Sequence, residues 1–288
     1  MSKIILITGT SSGLGLHSAV LLASQGHRVY ATMRDVSKKD DLEKEAKLKN
    51  VSVEILQLNV QDAGQIEECV KAIISKENRI DVLINNAGAG FLGTLEQASM
   101  AEINNTMDVN FYGPIRCIKA VLPFMREQQS GHIINISSVG GLVGQPLNEV
   151  YCAAKFALEG LSESIATYLE PYFGIKVSLI EPGGIVTEFA NNVFKYIQES
   201  GGLKKGAYET VIDDYMNYRA TFTDEMKAKA FQTALEVAGV IAKCIADEKP
   251  SLRYLSSENA KKFTYLKSGL DVSGDMLQAE IRKNVLKK

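Results

Sequence analysis

KIILITGTSSGLGLHSAVLLAS, residues 3–24, decides how the rest of the chain reads. It begins with Lys3–Thr8 (KIILIT), a short apolar run with the length and continuity of a strand buried on both faces. Gly9, Gly13 and Gly15 follow at G-x3-G-x-G spacing, and Leu14–Gln25 reads as an amphipathic helix. A strand, a glycine-rich turn and a helix open a parallel α/β unit.

The same alternation continues outward from this stretch. Further apolar runs occur at Arg28–Met33 (RVYATM), Val51–Leu58 (VSVEILQL), Asp81–Asn85 (DVLIN), His132–Ser137 (HIINIS) and Ile175–Ile180 (IKVSLI). Helical stretches lie between them at Asp40–Lys49, Ala63–Lys76 and Thr106–Glu127, the last with Pro114 marking a kink or an N-terminal turn. The expected fold is α/β: a doubly wound, Rossmann-like parallel sheet with helices on both faces, in a single domain over residues 1–288.

After Pro182 the pattern changes. Residues 188–225 lack strand runs and carry Phe189, Phe194, Tyr196, Tyr208, Tyr215, Tyr218 and Phe222, broken by Gly201, Gly202 and Gly206. This composition suits a helical lid over an apolar ligand; the plainer alternative is a helical connector packed on the sheet. A helix at Asp224–Glu248 and a short strand at Leu252–Leu255 should follow, and the tail beyond Ser256 is basic and amphipathic.

Composition narrows the function. A net charge of −2 and a pI near 6.0 give no reason to expect nucleic acid or an anionic membrane surface as partner. No segment has the roughly 18 apolar residues of a membrane span, and the N-terminus lacks a small-residue cleavage site, so a cytoplasmic protein is expected. Cys69, Cys117, Cys152 and Cys244 form no CxxC, and His17, His27 and His132 are scattered, so no metal site is expected.

The glycine turn has a chemical reading of its own. It permits close approach of backbone to a pyrophosphate at a helix N-terminus, where free N–H groups favour anions. Gly9, Ser11, Ser12, Gly13, Leu14 and Gly15 form this candidate cofactor site, and the clean strand and helix around it are the context that gives such a pattern weight. The end of the second run should choose between nicotinamide dinucleotides. An acidic residue there would bond ribose hydroxyls; this chain has Met33 and Arg34, and Asp35 falls too late. A guanidinium can bond a phosphate bidentately, so NADP(H) is expected, with NAD(H) as the alternative. Asn59 and Val60 should meet the adenine, and Asn86, Ala87 and Gly88 of NNAG tolerate tight turns beside the cofactor.

TGTSSGLG, NNAG, Asn110 in MDVNFYG, ISS at 136–138, YCAAK and PGGIVT at 182–187 occur in the order found in the short-chain dehydrogenases/reductases. The chain resembles that family from residue 3 to about 190. VYATMRD, SVGGLVGQP and VYCAAKFALEGL resemble its 17β-hydroxysteroid and retinol dehydrogenase branch. The retinol enzymes usually carry a hydrophobic N-terminal anchor, whereas here the first strand run follows Met1 almost at once. Asn59 departs from the aspartate common in the family, which alters an adenine contact and not the chemistry.

The resemblance implies a catalytic group of Asn110, Ser138, Tyr151 and Lys155. Ser138, rather than Ser137, has the family's distance from the tyrosine, and Ser137 should point to the opposite side. Tyr151 and Lys155 stand at i and i+4, on one helical face, where an ammonium should lower the phenol's ordinary pKa of roughly 10. The tyrosine would act as general acid or base and Ser138 would polarise the substrate oxygen. Asn110 would hold a water linking Lys155 to solvent. Pro182, Gly183, Ile185 and Thr187 would meet the nicotinamide.

The expected function is an NADP(H)-dependent oxidoreductase interconverting a lipophilic secondary alcohol and ketone, with a steroid, retinoid or similar substrate. A broad-specificity carbonyl reductase is the alternative. A dinucleotide-sensing regulator without turnover should lack Ser138, Tyr151 or Lys155, and all three are present. The helices at about 100–126 and 151–170, with Phe111, Ile118, Val121, Phe156 and Leu161, should support a homodimer or homotetramer.

Overall fold

Ile5 and Ile7 of the first strand, β1 (Ile4–Thr8), face one side of a sheet and Leu6 faces the other, and all three are buried. This is the burial on both faces that a continuous apolar run requires. The computed structural model describes residues 2–199 and 231–268 throughout, and also 202, 203, 206–221, 223, 225, 273, 275, 276 and 279.

The further strands are β2 (Arg28–Met33), β3 (Glu54–Gln57), β4 (Val82–Asn85), β5 (Gly131–Ile136), β6 (Ile175–Glu181), β7 (Ile185–Val186), β8 (Gln232–Thr233) and β9 (Arg253–Leu255). Seven form one sheet in the order β3-β2-β1-β4-β5-β6-β9, with every neighbouring pair parallel. The order reverses between β1 and β4, and in such sheets ligands bind beyond the carboxyl ends of the strands at the reversal.

Helices cover both faces. On one side, α1 (Gly13–Ser24) and α2 (Asp40–Leu48) contribute Leu16, Val20, Leu22 and Leu42 to a core with Ile5, Ile7, Val29 and Ile134. On the other, α3 (Ala63–Glu77) contributes Ile66 and Ile73 to a core with Leu6, Leu83, Ile133 and Val177. Each fully buried Leu or Ile is worth roughly 1.5–3 kcal/mol of transfer free energy. The remaining helices are α4 (Met100–Met107), α5 (Gly113–Glu127), α6 (Glu149–Phe173), α7 (Glu188–Glu199), α8 (Glu209–Ala220), α9 (Ala234–Ala246) and α10 (Glu258–Ser268). α5 and α6 join α3 on its face, and α9 joins α1. Among the described residues, no helix is long and apolar enough to cross a membrane.

Several expectations change. The helix expected over Thr106–Glu127 starts earlier, at a capping box between Ser99 and Glu102, and is broken by a π turn at Asp108–Tyr112. Pro114 lies in the first turn of α5, where its missing N–H costs little. The helix expected from Asp224 begins at Ala234, capped by Thr233 and Glu236, and Asp224 is outside the described residues. The third strand shrinks to its central residues. The β7–β8 pair had no periodic signal, because two residues cannot show a period. Ile118 and Val121 lie in the core against the sheet, so they are not available to a second subunit. Of the aromatic residues between 188 and 225, Phe222 and the side chains of Phe194, Tyr196 and Tyr218 fall outside the described residues, as does Gly201.

Candidate active site

At the end of β1, Gly9 has φ +72°, and a Cβ there would stand 2.7 Å from Cα of Ala87. A Cβ at Gly15 would run into the Gly9 carbonyl and the Asn86 amide. The turn is stitched to NNAG from both sides. Asn86 Nδ2 donates to the carbonyls of Thr8 and Gly9 at 2.9 and 2.8 Å, and Thr8 Oγ1 accepts from the N–H groups of Asn86 and Ala87, both at 3.0 Å. Thr10 Oγ1 donates to the Thr32 carbonyl at 3.0 Å and ties the turn to β2. The Asn86 side chain thus holds the turn in shape. The two threonines were not anticipated; their only sequence signal is that they flank Gly9.

α1 begins without a capping bond from the Ser12 side chain and without an acidic residue in its first turn. Its N-terminal N–H groups and dipole are therefore not offset by the chain's own carboxylates, which fits a bound pyrophosphate. Leu14 turns its side chain into the core, so only its backbone can serve a ligand.

β2 ends at buried Met33, followed by exposed Arg34. Asp35 accepts from the N–H and hydroxyl of Ser37 and caps a short turn, as its late position suggested. Asn59 shapes the turn after β3: its Oδ1 accepts from the Gln61 N–H at 3.2 Å and its own N–H donates to Gln65 Oε1 at 3.1 Å. The Val60 side chain is buried, 3.0 Å from where a Cβ on Gly113 would stand.

The catalytic candidates gather at the carboxyl ends of β5 and β6. Ser138 Oγ accepts from the Gly140 N–H at 3.0 Å and lies near enough to the hydroxyl of Tyr151 on α6 to influence its acidity. Ser137 points away, its hydroxyl on the Glu159 side, as the extended backbone requires. One turn after Tyr151, Lys155 is buried, donates to the Ile136 carbonyl at 2.9 Å, and has its Nζ 5.6 Å from the centre of the Tyr151 ring. Desolvation of the hydroxyl pushes Tyr151 up to about 12, although the nearby Ser138 hydroxyl pulls the other way. The ammonium does not reverse this shift, contrary to expectation; Lys155 is itself lowered to about 8 by burial. Asn110, in the π turn and fully buried, donates to the carbonyls of Ala89 and Thr106 at 2.7 and 2.9 Å and accepts from the Ala89 N–H. Its amide is engaged with backbone and is not directed at Lys155.

The PGGIVT segment lies against the glycine turn and the strand end that carries Ser138. The Pro182 carbonyl accepts from the Val139 N–H at 2.9 Å, and Thr187 lies 3.4 Å from where a Cβ on Gly13 would stand. Ile185 sits in β7 and packs toward the core. Gly183 leaves Ala260 3.9 Å from the position of a Cβ. From α7, the Phe189 ring stands 6.0 Å from that of Tyr151 and packs over Gly90, and Tyr208 hydrogen-bonds Glu96 from the far side.

A profile of the short chain dehydrogenase family matches residues 3–198. Retinol dehydrogenase 8 of Bos taurus is 39% identical over 278 residues, 95% of this chain and 87% of that protein. The 17-beta-hydroxysteroid dehydrogenase type 1 of Homo sapiens is 40% identical over 268 residues, covering 88% and 77%. A metagenomic short-chain oxidoreductase solved in complex with NADP superposes with a TM-score of 0.68 at 27% identity, over 88% of this chain and 97% of that one.

Proposed function

The chain belongs to the short-chain dehydrogenase family, and from that premise we propose that it is an NADP(H)-dependent oxidoreductase that interconverts a lipophilic secondary alcohol and its ketone. The observation that carries this reading is the grouping of Tyr151 and Ser138, with Lys155 one turn on, beside a glycine turn shaped for a dinucleotide. When bound, the dinucleotide supplies or takes the hydride.

In ketone reduction, Tyr151 gives its proton to the substrate oxygen. A phenol held up to about 12 is protonated throughout the neutral range, so the acid is always charged with its proton. The Ser138 oxygen accepts from Gly140, so its O–H faces the Tyr151 side and can turn to polarise the substrate oxygen there. Lys155 supplies a buried cation one turn away, anchored on Ile136. Asn110 serves as a positioning residue, locking the NNAG segment to the π turn. Pro182, Gly183, Ile185 and Thr187 border the place where the nicotinamide would lie. Tyr151→Phe is expected to lower kcat for ketone reduction on the order of 10^3-fold while NADPH still quenches intrinsic fluorescence. Near wild-type turnover would sink the mechanism.

Arg34 carries the cofactor preference: it is exposed where an adenosine 2′-phosphate would sit, and Asp35 is turned aside. Losing a charge-assisted contact of ~1.5–3 kcal/mol should cost Arg34→Ala roughly 10- to 100-fold in the ratio of NADPH to NADH efficiency. An unchanged ratio would refute the assignment.

The 188–225 segment is read as the substrate lid. Support comes from Phe189 against Tyr151 and from the similarity to relatives named for retinol and for 17β-hydroxysteroids. A broad-specificity carbonyl reductase would share the site; a flat rate profile across ketosteroids, retinal and small aldehydes would favour it over a narrow optimum. The four buried free thiols and the exposed Tyr112, Phe156, Tyr168 and Tyr172 support a cytoplasmic homo-oligomer.

A further inference from the structure

Behind the Tyr151–Lys155 pair lies a buried ionic cluster that the proposed reaction does not use. Glu159 stands one turn beyond Lys155 on α6 and is 5% exposed; Glu181 ends β6, directly before Pro182, and is 0% exposed. Arg253 of β9 reaches both, with Nε 3.3 Å from Glu159 Oε2 and 3.1 Å from Glu181 Oε1, and also pairs with Glu163. Both oxygens of Glu181, Oε1 of Glu159 and the hydroxyl of Ser137 have no aligned hydrogen-bond partner.

Two carboxylates buried around one guanidinium leave an excess negative charge and orphaned acceptors, each costly away from water. One proton removes the excess charge and converts an acceptor into a donor. The groups facing the pair are Lys155 and Glu163 from α6, Arg253 from β9 and the Ser137 hydroxyl after β5. The cluster joins the helix of Lys155, the strand leading into PGGIVT and the segment carrying Ser138.

We propose that Glu159 and Glu181, clamped by Arg253, share one proton held mainly on Glu181, and act as positioning residues behind Lys155 and the turn at Pro182. The inference deepens the proposed reaction and rests on it. Burial raises both carboxyls, Glu181 well above its ordinary range and Glu159 to about 7, in keeping with a retained proton. Ionised Glu159 then favours the cationic form of Lys155.

Two arms test this on the full chain. Unfolded, both carboxyls titrate near ~4.3, while the folded pair keeps a proton to higher pH. Stability from that proton is complete below the ordinary carboxyl range and is lost as pH rises through the raised values. Glu181→Gln mimics the protonated acid permanently, so its Tm should fall less steeply than that of the wild-type chain between about pH 6 and 9. In the second arm, Glu159→Gln removes a negative charge beside Lys155. The descending limb of kcat/KM against pH in ketone reduction should move down by roughly 0.5–1 pH unit, while Glu181→Gln leaves it in place. Parallel Tm profiles for Glu181→Gln and the wild-type chain, or an unmoved limb in Glu159→Gln, overturn the proposal. The Tm arm needs neither turnover nor dinucleotide, so it is read independently of the outcome for Tyr151→Phe.

Discussion

One methyl group at Gly15 would meet the Gly9 carbonyl and the Asn86 amide at once, the two groups that hold the phosphate turn. Gly15→Ala should therefore cost roughly 1–3 kcal/mol of stability by overpacking. Its NADPH affinity should fall by more than its stability explains, which chemical denaturation and fluorescence titration would show separately. Glycine spacing, Ser138, Tyr151 and Lys155 were legible in the sequence because each motif is local. Glu181 and Arg253 were not: their pairing joins residues distant in the chain, and a lone Glu before a Pro or an Arg in a short strand carries no local sign of burial. Lys155 was legible as a residue but not in its effect, since desolvation of Tyr151 outweighs the neighbouring cation.

Strands that are buried on both faces announce themselves by continuous Ile and Val runs, and β1, β2 and β6 sit where those runs lie. Helix ends are less legible, because they depend on which side chain reaches which N–H group. α9 shows this: Thr233 Oγ1 accepts from the Glu236 N–H at 3.2 Å, and Glu236 reaches back to the Thr233 N–H at 2.7 Å. Thr233→Ala should lower stability by about 1 kcal/mol with catalysis retained. A loss of activity without a change in Tm would show that the cap serves the site and not the helix. The π turn was hidden too, since the contacts around it, Gly113 close to Val60 and Asp108 paired to Arg116 at 2.6 Å across the break, are set by packing and not by a local pattern.

Across the whole molecule, the proposed reduction would require Lys155 charged, and burial lowers its affinity for protons to about 8. Reduction should hold through neutral pH and decline as pH rises through that value, with Tyr151 still protonated. A profile flat to pH 10 in single-turnover rates would contradict this. Association belongs to the same scale: Phe156 on α6 is exposed, so Phe156→Asp should shift the mass found by light scattering toward the monomer. An unchanged mass would count against the proposed association through Phe156. The β7–β8 pair has a wider consequence. Its register, Ile185 with Gln232 and Val186 with Thr233, brings the two ends of the aromatic insertion together at one strand spacing, roughly 4.8 Å. That two-stranded stem lies outside the seven-stranded sheet. If the segment is the lid proposed above, its length and composition could change while the strand pair kept its two ends in place, and one scaffold could acquire new substrates in that way.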